Sequence, residues 1–270
     1  MEEEFIQLCS NKSLDFEKFK LLIQSGIDVN GKDKDGNNAL HLLCILNSDE
    51  NFIDAIKLLI QFGIDVNGKD KDRKNALNYL CYHKSNENLI GAIKLLIQNG
   101  IDVNGKNIRE ANALHGLCEN NNSNENLIDA IKLLIQNGIE VNGKCLVGGN
   151  ALHSLCCNKR NENLIDAIKL FIELGVDVNA KDNEGNNVLH LLCRNGHHRS
   201  SDKLIDASKL FIQSEIDVHG KDNKGKNVLH FLCQNFSVEI FIDAIKLFIE
   251  LGVDVVSNGI DARKCLRLFR

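Results

Sequence analysis

The sequence predicts an all-α fold with short β-hairpin fingers, a curved α-solenoid of stacked helix–loop–helix–hairpin units. Three observations carry this. The string Gly-Ile-Asp-Val-Asn at 26–30 returns at 63–67 and 100–104, then as Gly-Ile-Glu-Val-Asn at 138–142 and Gly-Val-Asp-Val-Asn at 175–179. Weaker copies start at Glu215 and Gly252, so the successive steps are 37, 37, 38, 37, 40 and 37 residues. Triplets of Asn-Ala-Leu or Asn-Val-Leu starting at 38, 75, 112, 150, 187 and 227 keep the same step, and the apolar residues between these marks recur at helical spacing. A period of about 20–50 residues is the mark of a stacked array, because one such unit cannot bury its apolar face alone.

Each unit opens with a short helix, NALHLLC at 38–44. Asn38 is placed to cap it and Ala39 to begin it, while Leu40, Leu43 and Cys44 form an apolar stripe at i, i+3 and i+4. A polar loop follows. The second helix is NLIDAIKLLIQNG at 126–138, with Asn126 as its expected cap and Asp129 three residues on, in the pattern of a capping box. Ile128, Ile131, Leu134 and Ile135 read as its buried face, with Asp129 and Lys132 paired toward solvent. Gly138 ends it in a left-handed turn, and IEVNGKCLVGG reads as two extended arms around a bend. Glu215 stands where every other second helix ends in Gly, so a weak joint is expected there.

Helix, loop, helix and projecting hairpin, with Leu-His in the first helix, resembles the ankyrin repeat. The stretches that carry the likeness are DKDGNNALHLLC, FIDAIKLLI and GIDVN, and they cover roughly residues 5–258. Three departures stand out. Asn-Ala or Asn-Val replaces the family's Thr-Pro, and Leu-Cys replaces two small residues. The interval from the first-helix Cys to the Gly that ends the second helix, Cys44 to Gly63 in the first full unit, is also longer than the family's, which puts an insertion between the helices, away from the hairpins. The units are a partial N-terminal repeat (1–32), then 33–69, 70–106, 107–144, 145–181, 182–221 and 222–258. Together they form a single array over 1–258, with 259–270 as a C-terminal capping helix or tail.

Composition narrows the function. The net charge is −5, whereas a general nucleic-acid binder needs a basic stripe to displace phosphate counterions. The apolar runs are too short for a membrane span, and the acidic N-terminal stretch lacks the order of a secretory signal. Ten cysteines in that setting fit a reducing interior. An intracellular, cytoplasmic protein is expected, with the nucleus also open.

Histidine and cysteine recur three residues apart in the first helices, and both are metal ligands. Neighbouring pairs, however, sit one helix-packing distance apart, about 8–10 Å, too far to share one zinc ion at ~2–2.3 Å. The resemblance implies instead that His41, His115, His153, His190 and His230 are structural, bonding backbone at the helix start and the neighbouring hairpin. Asn78 takes that place once. A loop cluster of Cys193, His197 and His198 is the one local exception. No phosphate loop and no nucleophile–base set stands outside the repeat pattern, so no catalysis and no cofactor or metal is expected.

The expected function is a non-enzymatic protein–protein interaction scaffold, a monomer that binds another protein on the concave face of hairpins and first helices. Residues that vary between copies point to a central apolar hot spot of Tyr79, Tyr82, Ile108, Leu146 and Val147, rimmed by Lys71, Asp72, Arg73 and Arg109. The alternatives are a recruiting subunit of a larger complex, such as a ubiquitin ligase adaptor, with its signal in the C-terminal tail, and a Cys/His metal or redox sensor. The resemblance further marks Asn30, Asn67 and Asn104 as candidates for hydroxylation, each with a Leu eight residues earlier.

Overall fold

The computed structural model describes residues 2–46, 50–83, 87–120, 125–158, 162–195, 200–234 and 242–255. The C-terminal cap expected at 259–270 and the loop histidines His197 and His198 lie outside them. Fourteen helices occur among the described residues: α1 (Glu2–Cys9), α2 (Phe16–Gln24), α3 (Ala39–Leu46), α4 (Phe52–Gln61), α5 (Ala76–His83), α6 (Asn88–Gln98), α7 (Ala113–Glu119), α8 (Leu127–Gln136), α9 (Ala151–Cys157), α10 (Leu164–Glu173), α11 (Val188–Arg194), α12 (Ser201–Gln213), α13 (Val228–Gln234) and α14 (Ile242–Glu250). Contacts gather them into two units, one running to Gly143 with α1–α8 and the other starting at Lys144 with α9–α14.

Within the first unit, the first helices α1, α3, α5 and α7 pack in sequence on one another, and α4, α6 and α8 do the same in a second layer. In the second unit, α9, α11 and α13 form one layer and α10, α12 and α14 the other. A first helix is therefore enclosed on both sides and behind. This is why α3 buries every residue from Ala39 to Cys44 although it is only eight residues long. Such helices are too short to persist alone in water; burial holds them. The second helices face water on one side and bury a stripe: Phe52, Ala55, Ile56 and Leu59 in α4, and Leu127, Ala130, Ile131 and Leu134 in α8. The buried face of α8 is thus rotated from the expected one, leaving Ile128 and Ile135 half-buried. The i,i+3 pair between Asp and Lys closes in α4, α10 and α14, but Asp129 and Lys132 do not join in α8.

Two further expectations are corrected. The fingers contain no strand among the described residues. Each is a tight turn closed by two backbone bonds, in the first Asp33 N–H to Asn37 O at 2.9 Å and Gly36 N–H to Asp33 O at 3.0 Å, and within a unit successive fingers are linked by one more, such as Lys71 N–H to Asp35 O at 3.0 Å. A single bond per step cannot make a ladder. The capping box also lies elsewhere. Asn126 makes no side-chain cap bond, because its own backbone is already near-helical. The box is found at the first helices, where Asn112, Asn150 and Asn187 cap the N–H of a histidine whose ring in turn faces the cap's backbone N–H.

Glu215 is left-handed at φ +59°, in register with Gly175 at +74° and Gly252 at +77°. A side chain there costs about 1 kcal/mol, so Glu215→Gly should raise the thermal midpoint, checked by calorimetry. Gly91 is the opposite case. It lies inside α6 where α4, α8, α10, α12 and α14 carry Asp, and a Cβ on it would meet only Ile53 Cδ1 at an ordinary 3.5 Å. Gly91→Ala should add about 0.5–1 kcal/mol, read from a higher urea midpoint.

Candidate functional site: fingers and first-helix floor

The first helices α3, α7, α9, α11 and α13 are each anchored by one asparagine and one histidine. In α3, Asn38 Oδ1 accepts the His41 N–H at 3.1 Å, and the Asn38 N–H donates to His41 Nδ1 at 3.1 Å. Nδ1 is therefore the acceptor, which leaves the proton on Nε2 to reach Gly68 O at 3.0 Å in the following finger. His190 repeats the arrangement, with Nε2 to Gly220 O at 3.1 Å, while His153 Nε2 faces Asn186 O at 3.4 Å. The capping asparagines donate their amide to the next finger as well, Asn75 to Asp102 O at 3.0 Å and Asn187 to Asp217 O at 3.0 Å. Burial pushes His41, His153 and His190 below the usual histidine value, so they are held neutral.

Asn78 shows what the site demands. Its carbonyl takes the Asn75 N–H at 3.1 Å and its amide reaches Gly105 O at 3.1 Å. Those are the two bonds of a neutral imidazole, made by a group that cannot gain a proton. Among the described residues no three or more His, Cys, Asp or Glu converge as ion ligands. The thiols of α1 and α5 are buried, and burial raises both, Cys9 to about 12. Thiols in that state are inert nucleophiles.

The asparagines of the Asp-Val-Asn strings form a second set of links. Asn30 donates to Gly63 O at 3.0 Å and accepts the Asp65 N–H at 2.7 Å. Asn67 spans Gly100 and Asp102, and Asn104 spans Gly138 and Glu140, in the same way. Both ends of each amide are thereby used to join one repeat to the next.

On the first unit's surface, Ile108 is 51% exposed and Tyr82 48% exposed, but Tyr79 only 9%. Tyr79 is therefore part of the floor rather than an open anchor. Its hydroxyl donates to Asp70, its ring meets the His41 ring edge-on at 5.8 Å, and Lys74 Nζ lies 4.9 Å over its face. Ile108 is seated by its N–H on Asp72 O at 2.8 Å. Of the expected rim, Asp72 pairs with Lys74, and Arg73 pairs with Glu110 of the next finger at 3.2 Å. Arg73 and Glu110 are both left-handed. Lys71 and Arg109 are exposed. In the second unit, Leu146 and Val147 are 64% and 68% exposed, and their carbonyls take the Asn183 amide and N–H at 2.8 and 2.9 Å.

One feature of this face was missed in reading the sequence. The residue before each capping asparagine and the one five places later vary as couples: Asn37 with Leu42, Lys74 with Tyr79, Ala111 with Gly116, Gly149 with Ser154, Asn186 with Leu191, and Lys226 with Phe231. Lysine occurs with an aromatic ring, and Lys226 lies over Phe231 at 5.9 Å as Lys74 does over Tyr79. Small residues occur together. The signal was present in the repeat alignment, at a spacing that no helical rule singles out.

The family model for ankyrin repeats (3 copies) matches residues 5–107, 85–182, 114–214 and 155–259. Among solved structures, the human ASB11 ankyrin repeat domain is similar at a TM-score of 0.68 and 19% identity, over 92% of this chain and 96% of that one. The ankyrin repeat domain of Bcl-3, described as a unique member of the IkappaB protein family, gives 0.61 and 18%, over 89% and 95%. An ankyrin repeat domain from Acinetobacter baumannii AYE gives 0.62 and 20%, over 80% and 100%. No curated protein sequence matches significantly. With a recurrent step, buried Asn–His anchors and a matching family model across nearly its whole length, the chain belongs to the ankyrin repeat family.

Proposed function

We propose that this chain is a non-enzymatic interaction module that captures a partner protein on its finger tips and first-helix floor. Ankyrin repeats generally mediate protein–protein contact, and no helix among the described residues is long and apolar enough to cross a membrane. The observation that supports the reading is the exposure of Ile108, Leu146 and Val147. Large apolar side chains held at the tips of backbone-bonded fingers gain nothing from water, and apolar side chains so exposed mark a binding surface. We further take the chain to act as one continuous array over 1–258, as a monomer inside the cell, with Asn30, Asn67 and Asn104 as hydroxylation candidates.

Ile108→Ser and Leu146→Ser, singly and together, should each weaken capture of the native partner at least tenfold, about 1.4 kcal/mol, with helical circular dichroism unchanged. Capture at wild-type strength by the double variant would place recognition elsewhere.

A further inference from the structure

Residues 182–221 depart from the other repeats at three positions that do separate work. The core position filled by Ile168 in α10 and Ile245 in α14, both fully buried, is Ser208 in α12. Its hydroxyl donates to Leu204 O of its own helix at 2.8 Å, so it is satisfied locally and offers its neighbours little to pack against. The helix then ends on the left-handed Glu215. Finally, the link between repeats is missing. Asn179 joins the preceding repeat to this one through Glu215 O at 3.1 Å and the Asp217 N–H at 2.7 Å. The residue in its place one repeat later is His219. Among the described residues the His219 ring makes no hydrogen bond, and only its backbone N–H is used, on Asp217 at 3.1 Å.

We propose that the junction between residues 182–221 and 222–258 is a joint, at which α13 and α14 undock and redock as a block while α9 and α10 stay folded. In a stacked array stability is a sum of repeat and nearest-neighbour terms, so one weak interface lets the block beyond it open at no cost to the rest. Contacts do cross the junction besides helix packing. The Asn223 N–H donates to Glu184 O at 2.8 Å and its side-chain amide to Asn183 O at 2.9 Å, Phe231 meets His190 at 5.7 Å, and an exposed Lys221–Asp254 pair spans 3.6 Å; none of them replaces the two-ended amide link that Asn179 makes one repeat earlier. A partner that grips both sides must close the joint, and its affinity is reduced by the closed fraction.

Native-state hydrogen exchange on the full chain tests this. Amides of α13 and α14 are expected to exchange roughly tenfold or more faster than those of α10, through an opening with a smaller denaturant dependence than global unfolding. Any terminal block of a stack frays somewhat, so the deciding arm is repair. Ser208→Ile, Glu215→Gly and His219→Asn together should slow exchange in α13 and α14 by roughly tenfold and leave α10 unchanged. Glu215→Gly with His219→Asn, which touch no core position, should retain part of that gain if Ser208→Ile overpacks. Equal wild-type rates in α10 and α14, or no slowing in either repaired variant, would overturn the joint.

Discussion

Asn187→Ala is expected to lower the unfolding free energy by about 2–3 kcal/mol, seen as a lower urea midpoint at unchanged slope. Asn187 is 1% exposed, and its carbonyl caps the His190 N–H at 3.2 Å while its amide holds Asp217 O at 3.0 Å. Loss of an N-cap costs about 1 kcal/mol. Stranding the partner of a second bond adds about 1–2 kcal/mol, since alanine returns nothing to either group. His190→Asn should cost much less, because Asn78 already makes both required bonds from that position. A large loss in His190→Asn would mean that the ring's packing on Phe231, not its hydrogen bonds, carries the anchor.

Acid is expected to weaken the fold well before carboxylates titrate. His41, His153 and His190 have folded values below the ordinary 6.5, with burial as the first cause. Their surroundings do not reverse this. Asp70 faces His41 and Lys32 opposes it; Asp182 and Lys144 stand likewise about His153; Asp222 and Lys181 stand about His190. The unfolded chain takes up protons as pH falls through 6.5 while the folded one lags, so their contribution is full above that value and drains away below it. The ceiling is ~2 kcal/mol per residue between pH 7 and pH 5. Thermal midpoints measured across that interval should fall, and His41→Asn should flatten the slope. A midpoint that stays level from pH 7 to pH 5 would show that the rings are protonated when folded.

The repeat step, the alternation of short and long helices and the left-handed helix ends were legible because each is written many times over. The roles of single side chains were less so. Asn126 resembles a cap in sequence, yet the chain approaches α8 in near-helical backbone, and the side chain makes no bond to the helix's first N–H groups. The strongest caps instead belong to the asparagines ahead of Leu-His, where extended backbone at Asn112 and Asn150 turns the side chain onto the helix. Tyr79 was legible as an aromatic on the floor but not as a buried one. Its depth is set by Asp70, Lys74 and His41, which approach it from a finger and a neighbouring helix.

The couples five residues apart bear on how this face changes over generations. A mutation that removes Tyr79 alone takes from the Lys74 ammonium the ring it lies over and leaves it only the Asp72 carboxylate, and one that removes Lys74 alone uncovers the face of an aromatic ring. Drift at either letter is therefore penalised until the other follows. New specificities on such a surface should arise by transplanting both letters from a sister copy, as recombination between repeats does, rather than through a succession of single substitutions.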